Sequence, residues 1–295
     1  MRDALKLFYF VIAILCLGAL LAPPLYWLGQ WAATTGAMPI LAKYNFQKYF
    51  NRSVLISAVV LVWPFARWMG VQTQTQPRFR PQSADTAEAG IGFLVGILAI
   101  SLMAFWVVYW GSYEITSGVG FMLIIKAFLT AWIVAMLEEW LFRGAILTLL
   151  RQSMEATRAL WVCSAIFAAV HFLKPNPAIR ISEVSWDSGW LLVPEMFHQF
   201  TQPILLMGGF GTLLVLGWVL GVAALRTRSL WLSIGLHAGI VFIKLIFTKI
   251  SRLRHASLPW IGSEIQIGLF PVGMLLLTAL FVYYWTGKVR PASSA

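Results

Sequence analysis

Charge is what this chain has least of: only 11% of its 295 residues are Asp, Glu, Lys or Arg, and just 11 residues are acidic. Soluble domains carry about 25% charged residues, so a water-soluble globular fold is excluded on composition. Cysteine is scarce too. Cys16 and Cys163 both lie inside apolar runs, which excludes a disulfide framework. Segments of about ten residues alternating apolar and polar, the mark of an outer-membrane barrel, are absent. The net charge of +11 is not gathered into a patch interleaved with aromatics, so nucleic acid is not an expected partner. The basic residues stand instead at the ends of apolar runs, where they serve topology and meet anionic headgroups.

Hydrophobic residues make up 60% of the chain, with 15 Trp and 20 Phe. Apolar runs of about 20 residues recur, and each is long enough to cross a bilayer as a helix. The fold class expected is therefore all-α, a polytopic transmembrane helical bundle of about eight spans, near 7–28, 53–69, 91–110, 119–150, 159–173, 203–225, 229–248 and 265–285. Arg2 and Lys6 precede the run "FYFVIAILCLGALLAPPLYWL", which has no convincing small-residue cleavage site. An uncleaved first helix is expected. The fourth run is too long for one perpendicular crossing at about 1.5 Å per residue, so it must tilt, protrude or break; Gly144 is one place to break. With the N-terminus inside, eleven Lys and Arg fall on inside segments and eight outside. That bias favours cytoplasmic placement of both termini.

The chain organises as two helices over 1–65, a polar linker over 66–90, a third helix within 91–114, a core over 115–250, and a loop, last helix and tail over 251–295. The 174–202 loop carries Trp186, Trp190, Leu191, Leu192 and Phe197, which suit a membrane-seated lid or interfacial turn. The run Gly217 to Gly221 has the small-xxx-small spacing that permits close helix packing.

The stretch "AWIVAMLEEWLFRGAILTLL" places Glu138, Glu139 and Arg143 in the middle of a span. Each charge at mid-bilayer costs about 2.5–3.5 kcal/mol on insertion scales, so all three must face protein or trapped water. Glu139 and Arg143 are i, i+4 and can pair along one face. Glu138 is turned about 100° away and points elsewhere; a carboxyl so placed suits general-base work on a water. Two other spans each bring a histidine into apolar surroundings: His171, one turn after Phe167 in "FAAVH", and His237 in "SIGLHAGIVF". A single such histidine is most simply a helix–helix hydrogen bond. Two of them with an acid pair, on three helices, point to one polar site.

"EEWLFR" fits the EExxxR motif, and "FAAVH" the FxxxH motif, of the CPBP intramembrane proteases, which include prenyl-protein (CAAX) endopeptidases and bacteriocin-processing relatives. His237 falls where that family's third motif begins, and the resemblance covers roughly 115–250. It implies an intramembrane endopeptidase acting on a membrane-tethered protein or peptide within the lipid bilayer. Glu138 would activate the attacking water with help from His171. Glu139 and Arg143 would hold the helix and the acid, and His237 would stabilise the oxyanion or bind a metal. Two His and a Glu plus water would satisfy a catalytic zinc, with His171, His237 and Glu138 as its ligands. The same groups without metal supply a base and an oxyanion donor, and this metal-free reading is slightly preferred. One position departs from the pattern: Val241 stands where the third motif has Asn or Asp. Lys244, on a similar face, is a partial substitute at best, and snorkelling is its plainer role.

Two rivals keep the same residues. Intramembrane Glu, His and Arg also mark proton-coupled transporters, although no internal repeat of the kind many such folds show is found here. A non-catalytic scaffold or immunity-type protein would account for Val241. Among weaker signals, Glu195 and His198 form an ExxH that reads as an interfacial pair, His255 reads as a solvated loop residue, and Lys126 as a snorkelling side chain.

Overall fold

The computed structural model describes residues 2–70 and 85–289. The chain is built almost wholly of helices: α1 Arg2–Thr34, α2 Phe46–Trp68, α3 Asp85–Tyr109, α4 Phe121–Glu139, α5 Leu147–Ser153, α6 Ala156–His171, α7 Ser188–Glu195, α8 Pro203–Thr227, α9 Trp231–Ile250 and α10 Leu269–Val289. Seven helical stretches among the described residues are long and apolar enough to cross a membrane. The remaining candidate span, α6, is an apolar helix of 16 residues. The architecture is the all-α polytopic bundle expected from hydropathy. Most of the polar segment 66–90 lies outside the described residues, as does the end of the tail; α3 begins inside that segment, at Asp85.

The long fourth run does not break. After α4 the backbone passes through a π-helical stretch, Trp140–Ile146, and continues as α5. The Leu147 N–H bonds the Phe142 carbonyl five residues back, the i→i+5 step that defines a π-bulge. The Cys163 thiol of α6 lies 3.3 Å from the same carbonyl. Gly144, offered by the sequence as a break point, lies within this stretch.

The described residues divide into two compact units, Met1–Val71 with Val170–Pro203, and Gln72–Ala169 with Ile204–Ala295. In the first, α1 and α2 pack at close range. Ser53 Oγ donates to the Gly18 carbonyl at 2.6 Å, and Phe10 stacks on Phe65. The 174–202 segment docks on this pair through Leu192 and Met196, which join Ala19, Ala22, Phe46 and Phe50 in one buried cluster. Gln47 Nε2 donates to the Asn176 and Ile179 carbonyls, and Trp186 meets Trp27 edge-on. His198 Nε2 lies 3.0 Å from Gln202 Nε2.

In the second unit the polar residues lie on α4, the π stretch and α9, with α8 and α6 against them, while α3 packs on α9 and α10 on α3. A short antiparallel pair, β1 Tyr113–Ile115 with β2 Ser251–Leu253, ties the end of α3 to the end of α9. Glu114 and Arg254 pair beside it at 2.7 Å, both exposed enough to add little stability. Burial, followed by the nearby Glu264 carboxylate, pushes the Tyr113 phenol up to about 12 from its usual 10. The folded state therefore holds this proton more tightly than the unfolded chain. That share of stability is intact below pH 10 and is lost as pH rises through about 12. A tyrosinate absorbance titration of wild type against Tyr113→Phe is expected to show one late-ionising phenol missing from the variant.

Candidate active site

The largest fully buried side chain among the described residues is charged: Arg143, 1% exposed. It sits in the π stretch, and both terminal nitrogens of its guanidinium are bonded. Nη1 donates to Glu139 Oε1 at 2.8 Å, one helical turn back, and Nη2 donates to the Gly217 carbonyl of α8 at 3.0 Å. The Phe167 ring lies 4.6 Å from the guanidinium carbon, a cation–π contact strengthened by the burial of both side chains. Phe167 also meets His237 in a T-shaped contact, with ring centroids 6.0 Å apart.

Glu139 is fully buried at the last turn of α4. Its Oε1 takes a second bond, 2.9 Å from His237 Nδ1 on α9. A carboxylate paired with an arginine is ionised and only accepts, so Nδ1–H is the donor here. The other ring nitrogen, Nε2, faces Glu138 Oε2 at 3.8 Å. Glu138 is the most open member of the group, with its side chain 18% exposed. The result is an ordered line: Arg143 to Glu139 to His237, with Glu138 on the far side of the imidazole.

This order fixes the chemistry available. A neutral His237 bonded through Nδ1–H presents a bare Nε2, which can only accept a proton or hydrogen bond. As an imidazolium it donates from Nε2, and the Glu139 charge stabilises that cation. The histidine is thus both aimed and charge-matched by Glu139.

His171 is the last residue of α6, one turn beyond Phe167. Val241 lies half-buried on α9. Among the described residues no three His, Cys, Asp or Glu side chains group as ligands for a metal ion. Among the described residues there is thus no ready donor set for zinc.

Sequence spacing identifies the Glu139–Arg143 pair, but not the bond from Glu139 to His237, 98 residues away. Nor does it identify the Gly217 carbonyl as the second acceptor for Arg143. Gly217 and Gly221 do pack closely on α6: an added Cβ would come within 3.1 Å of Ser164 and 2.3 Å of Leu160, respectively. Of the small-xxx-small pairs the sequence points to this one; the structure adds Gly92 with Gly96 and Gly235 with Gly239, whose signal is the same spacing.

Two carboxyls, a guanidinium and an imidazole gathered among apolar helices define the class: an integral membrane protein with a buried acid–base site. Residues 120–243 match the family model described as Rce1-like, type II CAAX prenyl endopeptidase Rce1-like. The matched stretch contains Glu138, Glu139, Arg143, Phe167, His171 and His237, is consistent with the CPBP family, and supports an intramembrane CAAX-type endopeptidase in general. No curated protein and no solved structure matches the chain.

Proposed function

We propose that the chain is an endopeptidase that hydrolyses a peptide bond of a membrane-tethered protein or peptide inside the bilayer. The observation that carries this reading is the imidazole of His237, held by Glu139 at one nitrogen and facing Glu138 at the other. Glu138 takes a proton from a water, and the resulting hydroxide oxygen adds to the scissile carbonyl carbon. His171 shares in activating that water, the role the family resemblance gives it. The displaced electron pair becomes an oxyanion, which the His237 imidazolium meets through Nε2–H. Collapse breaks the C–N bond, and the proton held by Glu138 passes to the leaving amine. Val241 offers no donor, so His237 carries the oxyanion without the Asn or Asp of the family motif.

The matched family's description names a CAAX prenyl endopeptidase, so a prenylated CAAX sequence is the substrate class proposed. Both termini belong in the cytoplasm on the balance of Lys and Arg. A second reading, a non-catalytic scaffold that keeps the fold, rests on Val241. The deciding experiment compares new peptide termini in membrane and secreted proteins from cells expressing wild type or Glu138→Gln at matched levels. Termini that vanish in the variant are the expected result and would name the substrate. Identical termini in both would remove the protease reading.

A further inference from the structure

We infer that α3, which lies outside the matched residues 120–243, is the element that positions His237, through a reciprocal glycine seam with α9. Gly92 and Gly96 on α3, and Gly235 and Gly239 on α9, are the positioning residues. Each helix carries the glycines four apart, and each glycine meets the other helix's backbone. A Cβ on Gly92 would stand 2.4 Å from the Leu232 carbonyl oxygen, and one on Gly96 2.4 Å from that of Leu236. From the other side, a Cβ on Gly235 would stand 2.0 Å from the Ala89 carbonyl oxygen, and one on Gly239 2.2 Å from that of Phe93. Backbone cannot swing aside as a side chain can. Within lipid, where apolar surface alone does not drive helices together, such contact is a principal source of association.

The seam acts on the site because of where His237 falls. It is two residues from Gly235 and two from Gly239, so it points about 200° away from both, to the opposite side of α9. That side faces Glu139. The helix is held between the α3 backbone and the Glu139 carboxylate, and any thickness added at the glycines is delivered along the histidine's own bond. Relieving an approach of 2.0 Å to an ordinary carbon contact needs a shift of about 1 Å or more. The 2.9 Å bond from His237 to Glu139 tolerates only a few tenths of an ångström. A methyl in the seam must displace one of the two backbones, and a displacement of α9 by that much breaks the native hydrogen bond. A separate contact fixes the axial register: Ser229 Oγ, in the turn before α9, donates to the buried Asp85 Oδ1 at the start of α3, at 2.8 Å.

Gly90 supplies the control. It lies on the same helix, yet a Cβ there would meet nothing within 4 Å. The test is imidazole nitrogen and proton NMR of the full chain in lipid nanodiscs with labelled histidine, His237 being assigned by its loss in His237→Gln. Gly92→Ala and Gly235→Ala are each expected to abolish the hydrogen-bonded Nδ1–H resonance of His237, while Gly90→Ala leaves it in place. If Gly235→Ala does not fold, Gly96→Ala carries the same expectation at a lesser overlap. A folded seam variant with an unchanged His237 spectrum would overturn the assignment, as would loss of the resonance in Gly90→Ala. The inference rests on the protease reading only for its consequence, the loss of Glu138-dependent termini in the seam variants. Spectral change where wild type and Glu138→Gln give identical termini would keep the positioning role and remove the protease reading.

Discussion

Arg143→Leu is expected to destabilise the protein by about 3–5 kcal/mol, the loss that follows when one half of a buried ion pair is removed. The guanidinium is 1% exposed and its partner Glu139 is fully buried, so no solvent replaces what the substitution takes away. Three attachments go together: the Glu139 bond, the Gly217 carbonyl bond and the Phe167 ring contact. The Glu139 charge, left without its cation, accounts for most of the loss. Pairing Arg143→Leu with Glu139→Gln is therefore expected to recover part of it, because no isolated charge is then buried. Unfolding of the four proteins in one detergent gives the coupling directly. Additive losses would show that the pair does not act as a unit.

Glu139→Gln is expected to lower turnover by about 10²–10⁴-fold, the range that positioned proton transfer contributes, with neutralisation of the acid behind a catalytic histidine at its upper end. An amide is nearly the same size, so the packing survives. What changes is the sign of the interaction at His237 Nδ1. A glutamine can turn its NH2 towards that nitrogen, making it an acceptor and moving the ring proton to Nε2. Even with its oxygen in place, the amide cannot stabilise an imidazolium. Rate per folded molecule separates this from any loss of stability, once the substrate is known from the termini comparison. Turnover within a few-fold of wild type in folded Glu139→Gln would remove His237 from the charged step.

The spans were legible because hydropathy sums over twenty residues and tolerates local error. Pairing of Glu139 with Arg143 was legible because i, i+4 on one helix needs no knowledge of tertiary structure. The π stretch was not: a shift from i→i+4 to i→i+5 bonding changes which carbonyl each N–H meets and leaves no trace in composition. The bond from Glu139 to His237 was hidden for another reason. A carboxylate oxygen accepts more than one donor, so assigning Arg143 to Glu139 did not exhaust it, and nothing in the spacing said what came next. The seam between α3 and α9 was written in the sequence as two glycine pairs. Which helices they join depends on packing between residues about 140 apart, and spacing does not carry that.

The glycine seam also bears on how small a working piece of this chain can be made. The matched segment begins at residue 120 and ends at 243, so a fragment cut at those bounds would lack α3 altogether and end α9 seven residues early. Its Gly235 and Gly239 would then turn a bare strip of peptide backbone to the lipid, with nothing to brace the histidine from behind. If the seam positions His237 as proposed, a boundary drawn by similarity is not a boundary of function here, and a minimal fragment has to reach back to Asp85, where the turn before α9 is fastened.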